Sequence, residues 1–330
     1  MQIISMEPLP QISIIICTNR APKTIDELFL SLHHQSEIDK CEVILVDNGI
    51  VASQVARIRL QLTQLPCSSF YIDEPRPGLW HARGAAFAMA RGEWMLLLDD
   101  DNELAEMAIK HLLDFVAKHH GVGGVSPRVV ARWEHLPAIW LQRFGICCLS
   151  FTESDLYSPY YGETIWTHPR VPGIRPPGGG MIINRKIAGA FLIDFSLLPS
   201  EITQPSVPCE DHAIYCEVGH HAMATAYVPT IVVYHNLDAS RTSLAALTRL
   251  NFRMIRGYGV FTPFELLFSG YDKGWLRLIG GVVVGQLRLV MLHPKTWWLV
   301  LVRLVAFFVG VSHGVALRNV AGRRGAGQDD

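Results

Sequence analysis

Charge is scarce in this 330-residue sequence. Only 18% of the residues are Asp, Glu, Lys or Arg, against roughly 25% in an average soluble protein, and the deficit is sharpest after Gly274. What charge there is nearly cancels, leaving a net −1. That excludes a globally basic chain built to bind nucleic acid. Cysteine is sparse too: seven residues, an odd number, with no paired CxxC spacing. A disulfide framework or structural zinc site is therefore not expected, and a reducing cytosol is the natural compartment. "MQIISMEPLPQ" lacks a basic region followed by a long apolar core, so no signal peptide is expected. Internal repeats and low-complexity tracts are also missing. The length leaves room for one large domain or two ordinary ones.

What is present is a regular alternation. "ISIIIC" (12–17) and "CEVILVDNG" (41–49) are β-branched runs that suit strands buried on both faces. "SSFYID" reads as a third strand and "EWMLLLDDDN" as a fourth. Between them, "TIDELFLSLHHQ" spaces Ile25, Leu28, Phe29 and Leu32 for a helix. "ASQVARIRLQLTQL" and "GLWHARGAAFAMARG" also read as helices, the latter closed by Gly92. A helix is expected from about Glu103 to His119, then a strand in "GVGGVSPRVV". "GGGMIINRKIAGAF" reads as a glycine turn, a strand and a helix. "EDHAIYCEVGHH" is a helix with acids in its first turn, and "ATAYVPTIVVYH" is a last strand. The pattern predicts an open, mostly parallel α/β sheet, which binds ligands outside the carboxyl ends of its strands. The segment 132–175, rich in Trp, Tyr and Pro, reads as an irregular cover over the sheet.

Three strands end in polar residues at that edge, and "MLLLDDDNE" is the most unusual of them. Residues two apart point the same way at a strand end, so Asp99 and Asp101 project together and Asp100 points away. Two carboxylates on one side suit Mg²⁺ or Mn²⁺ shared with a phosphate. A solvated strand end is the alternative, but the apolar run that fixes the acids on a rigid edge weighs against it. Asp47 ends its strand in the same way, as an acceptor or a turn cap. Gly78 precedes a helix whose N-terminus can face an anion. Arg83, inside that helix, suits a diphosphate or a surface salt bridge.

Taken in order, "ISIIICTNR", "EVILVDNG", "GLWHARGAAFAMARGEWMLLLDDDNE" and "PGGGMIINR…CEDHAIYCEVGH" resemble the successive motifs of family 2 glycosyltransferases over about residues 11–237. The resemblance implies a GT-A fold and an inverting enzyme that uses a nucleotide-diphosphate sugar. It implies that Thr18, Asn19 and Arg20 border the base, that Asp47 accepts a hydrogen bond from it, and that Gly78 and Arg83 lie near base and diphosphate. Asp99 would approach the ribose with Asp100 beside it, and Asp101 would hold the metal, with His235 as a further metal or diphosphate contact. Gly179 and Gly180 would let backbone approach sugar and acceptor. Asp211 would be the general base and Glu210 its neighbour. The sequence departs from the family at Gly84, where Asn is usual, and at Cys17. It also lacks the QxxRW motif of processive synthases, which argues for one sugar per encounter. Arg253 and Arg256 of "NFRMIRGYG" lie where that motif would be.

Two apolar stretches follow, "WLRLIGGVVVGQLRLVML" and "WWLVLVRLVAFFVGVSHGVAL", each interrupted by arginine. Neither offers the ~20 uninterrupted apolar residues of a simple transmembrane helix. They suit helices lying in the membrane interface, a hairpin that enters the bilayer, or a buried pair in a soluble dimer. The expected organisation is a glycosyltransferase domain over 1–240 and a helical, membrane-associated region with a disordered tail over 241–330. The expected partners are a nucleotide-diphosphate sugar and a glycan or lipid-linked acceptor at the cytoplasmic face of the membrane, with no nucleic acid. Two other functions stay open: a sugar nucleotidyltransferase, whose usual glycine-rich basic signature "IIICTNRAPKT" lacks, and a non-catalytic nucleotide-sugar scaffold.

Overall fold

The structure is a computed structural model that describes residues 9–20, 23–138, 141, 165–167, 178–187, 210–221, 223–268 and 297–325. The first apolar C-terminal stretch, most of the 132–175 segment, the helix expected after Arg185 and the extreme tail lie outside them. Among these residues nine strands form one sheet: β1 Ile12–Thr18, β2 Cys41–Asp47, β3 Ser68–Asp73, β4 Trp94–Asp99, β5 Asn102–Leu104, β6 Val122–Trp133, β7 Ile165–Thr167, β8 Ile182–Asn184 and β9 Ala224–Leu237. The helices are α1 Thr24–His33, α2 Ala52–Thr63, α3 Leu79–Met89, α4 Ala108–Val116, α5 Glu210–His220, α6 Leu244–Phe268 and α7 Trp297–Gly325.

The strand order is β3-β2-β1-β4-β8-β6-β9-β5, with β7 paired to β9. From β3 to β4 every pairing is parallel. Beyond β4 the sheet is mixed, because β8 runs antiparallel to both β4 and β6. In β1 every residue but Cys17 is buried, and in β2 all seven are. Such continuous burial is what a strand covered on both faces requires. Ile25, Leu28, Phe29 and Leu32 of α1 are buried as their spacing predicts. The parallel register sets Thr18 opposite Asp47 and Cys17 opposite Asp99. The polar ends of three strands therefore share one edge.

Two local differences have clear causes. The helix expected from Glu103 starts only at Ala108. Asn102, Glu103 and Leu104 instead pair with His235, Tyr234 and Val233 of β9, a long-range contact that outweighs local helical spacing. Helix α3 stops at Met89 rather than running to Gly92. Gly92 packs so tightly on the Ile12–Ser13 backbone that a Cβ there would overlap it, so the glycine serves strand packing.

The C-terminal helices α6 and α7 pack on each other through Gly259 and Gly310, where a Cβ on either would overlap backbone of the opposing helix. Buried Arg303 on α7 donates from Nε to Asn251 Oδ1 on α6 at 2.9 Å. Leu247, Leu299 and Val300 join the same apolar cluster as Leu112 and Val129. The helical pair thus shares a core with the sheet.

Candidate active site

The three acids after "MLLL" separate at once. Asp100 turns inward: its Oδ2 accepts from the Thr18 hydroxyl at 2.6 Å, and its carbonyl accepts from Thr24 at 3.2 Å. Burial pushes its carboxyl up to about 6, against the pull of the Thr18 hydrogen bond. Asp99 faces the open edge, with 38% of its side chain exposed and Oδ1 3.8 Å from Arg83. Its backbone N–H donates to Asn102 Oδ1 at 2.9 Å, which ties the turn into β5. Asp101 is buried with Arg241 Nη2 at 2.6 Å, Arg20 Nη2 at 3.6 Å and His235 Nε2 at 3.4 Å. Burial alone would raise its carboxyl; His235, Arg241 and Arg20 outweigh that and hold it below the usual range.

On the β2 side, Asp47 Oδ1 caps its own turn, accepting from Gly49 N at 2.9 Å and Ile50 N at 2.7 Å. Its Oδ2 takes the Tyr71 hydroxyl in a short hydrogen bond. Asn48, which sequence reasoning passed over, holds the whole connection to α3. Its Nδ2 donates to the carbonyls of Glu74 at 2.8 Å and Arg76 at 2.7 Å, and its Oδ1 accepts from Gly78 N at 2.8 Å. Gly78 has φ +124°, a conformation open to glycine but strained for other residues. Its amide is engaged within the protein. Asn19 and Arg20 are exposed at the lip beyond β1.

Arg83 is the hub of the other side. It is 3% exposed, on the face of α3 that covers the sheet. Its Nη1 is 3.5 Å from Glu210 Oε1, and its Nη2 donates to the Gly178 carbonyl at 3.3 Å. One side chain thus bridges the acid-bearing strand end, the glycine turn and the first turn of α5. Burial pushes the Glu210 carboxyl above its usual range, against the pull of Arg83. Gly179 lies against Asp99 so closely that a Cβ would strike the carboxylate, so the turn needs glycine there. Gly180, at φ +93°, hydrogen-bonds through its N–H to the Leu97 carbonyl at 2.7 Å. Asp211 is half-buried where its neighbour Glu210 is buried. Tyr258 of α6 donates from its hydroxyl to Asp211 Oδ2 at 3.4 Å. Sequence reasoning singled out Arg253 and Arg256 nearby and passed over Tyr258. Arg256 points to His313 of α7, at 3.3 Å.

The sequence-predicted metal pair can be tested on geometry. His235 on β9 is set by its register opposite Asn102, which brings it to the turn carrying Asp101. Asp101 Oδ1 is buried and accepts no hydrogen bond among the described residues. It lies 3.4 Å from His235 Nε2. Two ligands each about 2.1 Å from one small ion fall roughly 3 to 3.5 Å apart, so the pair fits a divalent cation. Among the described residues no cluster of three or more His, Cys, Asp or Glu side chains forms a complete cage. Such a cation would need further ligands from outside these side chains.

A family model described as glycosyl transferase family 2 matches residues 13–187, just over half of the chain. No curated protein sequence matches it. Among solved structures, the mannosyltransferase PcManGT from Pyrobaculum calidifontis, in complex with GDP-Man and Mn²⁺, superposes with a TM-score of 0.56 at 15% identity, over 93% of this chain and 88% of that one. S. aureus TarS 1-349 in complex with UDP-GlcNAc gives 0.50 at 14% identity, over 92% and 90%. A longer S. aureus TarS structure, of which this chain spans 44%, gives 0.49 at 15% identity over 81% of this chain. At these identities the likeness is one of fold.

Proposed function

The chain belongs to glycosyl transferase family 2, and from that premise we propose that it is an inverting, metal-dependent hexosyltransferase. It moves a sugar from a nucleotide-diphosphate sugar to a hydroxyl of a glycan or lipid-linked acceptor, in polysaccharide or glycolipid biosynthesis. One observation carries the reading. Buried Arg83 joins Asp99, the Gly178 turn and Glu210, beside half-buried Asp211. A strand-end acid and an acidic helix start, far apart in sequence, are brought together by one guanidinium beside a glycine turn. The bound donors of the two structural neighbours, GDP-Man and UDP-GlcNAc, support a nucleotide-diphosphate sugar as donor class.

An acceptor hydroxyl is a poor nucleophile and needs a base within hydrogen-bond reach. Asp211 is the candidate: it is the more open of the two acids, and Tyr258 steadies one of its oxygens. Glu210 stays against Arg83 and keeps that guanidinium in place. Asp99 meets the ribose, with Asp100 holding Thr18 behind it, and Gly179 and Gly180 admit the sugar. Thr18, Asn19, Arg20 and Asp47 border the base, and Gly78 and Asn48 hold the loop beneath it. Asp101 and His235 would hold Mg²⁺ or Mn²⁺, which when bound stabilises charge on the leaving diphosphate. Attack from the Asp211 side, opposite the leaving group, inverts the anomeric centre.

The test is Asp211→Asn. We expect it to bind donor nucleotide like the wild type and to lose about 10²–10⁴-fold in transfer rate, measured as nucleoside diphosphate released with a donor panel and lipid extract. Wild-type turnover in this variant would remove Asp211 from the role of base.

We further place the enzyme at the cytoplasmic membrane surface. Trp297–Ala316 is long and apolar enough to cross a bilayer, with a mean hydropathy of 2.0. Trp297, Leu301, Val305, Phe308 and Val309 are exposed along α7 at helical spacing, while its other face meets α6. A helix with one face in protein and one apolar face outward suits the interface. Flotation with anionic vesicles checks this, and a chain that stays at the bottom of the gradient speaks against it.

A further inference from the structure

Arg241 lies on a short 3-10 turn, Ala239–Thr242, that follows β9. Asp238 starts the turn, accepting from Ser240 N at 2.6 Å. From there the guanidinium reaches back over the strand end. Its Nη2 donates to Asp101 Oδ2 at 2.6 Å, and its Nη1 lies 3.3 Å from His235 Nε2. That same Nε2 lies 3.4 Å from Asp101 Oδ1, so arginine, imidazole and carboxylate meet at one point. His235 Nδ1 is buried and has no hydrogen-bond partner among the described residues. One arginine therefore covers both groups that fit a metal.

We propose that Arg241 is the exchangeable counter-cation of this site: it holds the Asp101–His235 pair when no divalent cation is bound and swings out when one enters. The proposal rests on the reading of Asp101 and His235 as metal-holding residues. The geometry suits an exchange. The Asp101 side chain is 7% exposed and has nowhere to go, while that of Arg241 is 30% exposed and has solvent beside it. A buried carboxylate stripped of its counter-charge is costly, so a tethered cation keeps the metal-free protein folded with Asp101 ionised. The entering ion then displaces a charge already in place, which sets its affinity as any competing ligand would.

Mn²⁺ titrated into the full chain, with free ion read by electron paramagnetic resonance and no donor present, tests this without reference to turnover. Arg241→Ala and Arg241→Gln remove the competitor and are expected to bind Mn²⁺ about three- to tenfold more tightly than the wild type. Arg241→Lys, which keeps a weaker competing charge, should fall between. Asp101→Asn should abolish the binding. Equal or weaker binding by both neutral variants, with Asp101→Asn still abolishing it, overturns the exchange and leaves the metal reading standing. Undiminished binding by Asp101→Asn overturns the metal reading and the exchange with it. If one neutral variant fails to fold, the other decides.

Discussion

The two sides of the strand edge are held together differently. On the β2 side, polar groups close on backbone through short hydrogen bonds: Asp47 on Gly49 and Ile50 at 2.9 and 2.7 Å, Asn48 on Glu74 and Arg76 at 2.8 and 2.7 Å. On the α5 side, Arg83 meets Gly178, Glu210 and Asp99 at 3.3, 3.5 and 3.8 Å. The contacts to Gly178 and Glu210 join residues 95 and 127 apart in sequence. The first side is a finished platform whose polar groups are satisfied by the fold itself. The second gathers charges at longer range, and such an arrangement keeps interactions in reserve for a ligand to complete. Under the proposed function, the first side would hold the nucleotide and the second would serve the reacting centre.

The largest expected effect breaks the loose side. Arg83→Met leaves Glu210 buried with no counter-charge, which typically costs about 3–5 kcal/mol. We expect a fall in thermal midpoint together with loss of transfer. Adding Glu210→Leu removes the stranded charge and should recover much of the stability without recovering activity. If the double variant regains transfer, the Arg83–Glu210 contact has no part in the chemistry.

The platform side should answer in the opposite sense. Asp47→Ala frees two turn amides and the Tyr71 hydroxyl, a loss of about 1–3 kcal/mol. Stability and nucleotide affinity should both fall, while the rate at saturating donor changes little. A rate loss as large as that of Asp211→Asn would abolish the distinction between the two sides.

The same contrast explains what could be read from the sequence. The buried parallel strands β1, β2 and β4 and the acidic start of α5 are local patterns. Strand periodicity and helix electrostatics reveal them without knowledge of the fold. The three-residue β5 was hidden because its partner β9 lies far along the chain. Asn48 stood in plain view after Asp47, but its work is to bind backbone 26 and 28 residues on, and no spacing rule announces that. Arg241 sits in "DASRTS", which has the composition of a linker. Tyr258 belongs to an apolar helix whose approach to Asp211 depends on how α6 packs against α5. The site was legible where one element makes it and illegible where two distant elements must meet.

The smallest effect sharpens the platform further. Burial, followed by the hydrogen bond to Asp47, pushes the Tyr71 hydroxyl up to about 12, above the usual phenol value of about 10. The unfolded chain therefore loses this proton before the folded chain does. Between those two values the unfolded state binds fewer protons, so stability falls as pH rises through about 10 to 12. Below about 10 both states are protonated and the contribution of Tyr71 is constant. Denaturant unfolding of wild type and Tyr71→Phe across the alkaline range should show the two curves converging over that window. Parallel curves throughout would mean that Tyr71 ionises as freely as an exposed phenol, and that the Asp47 cluster is open to water rather than closed by the fold.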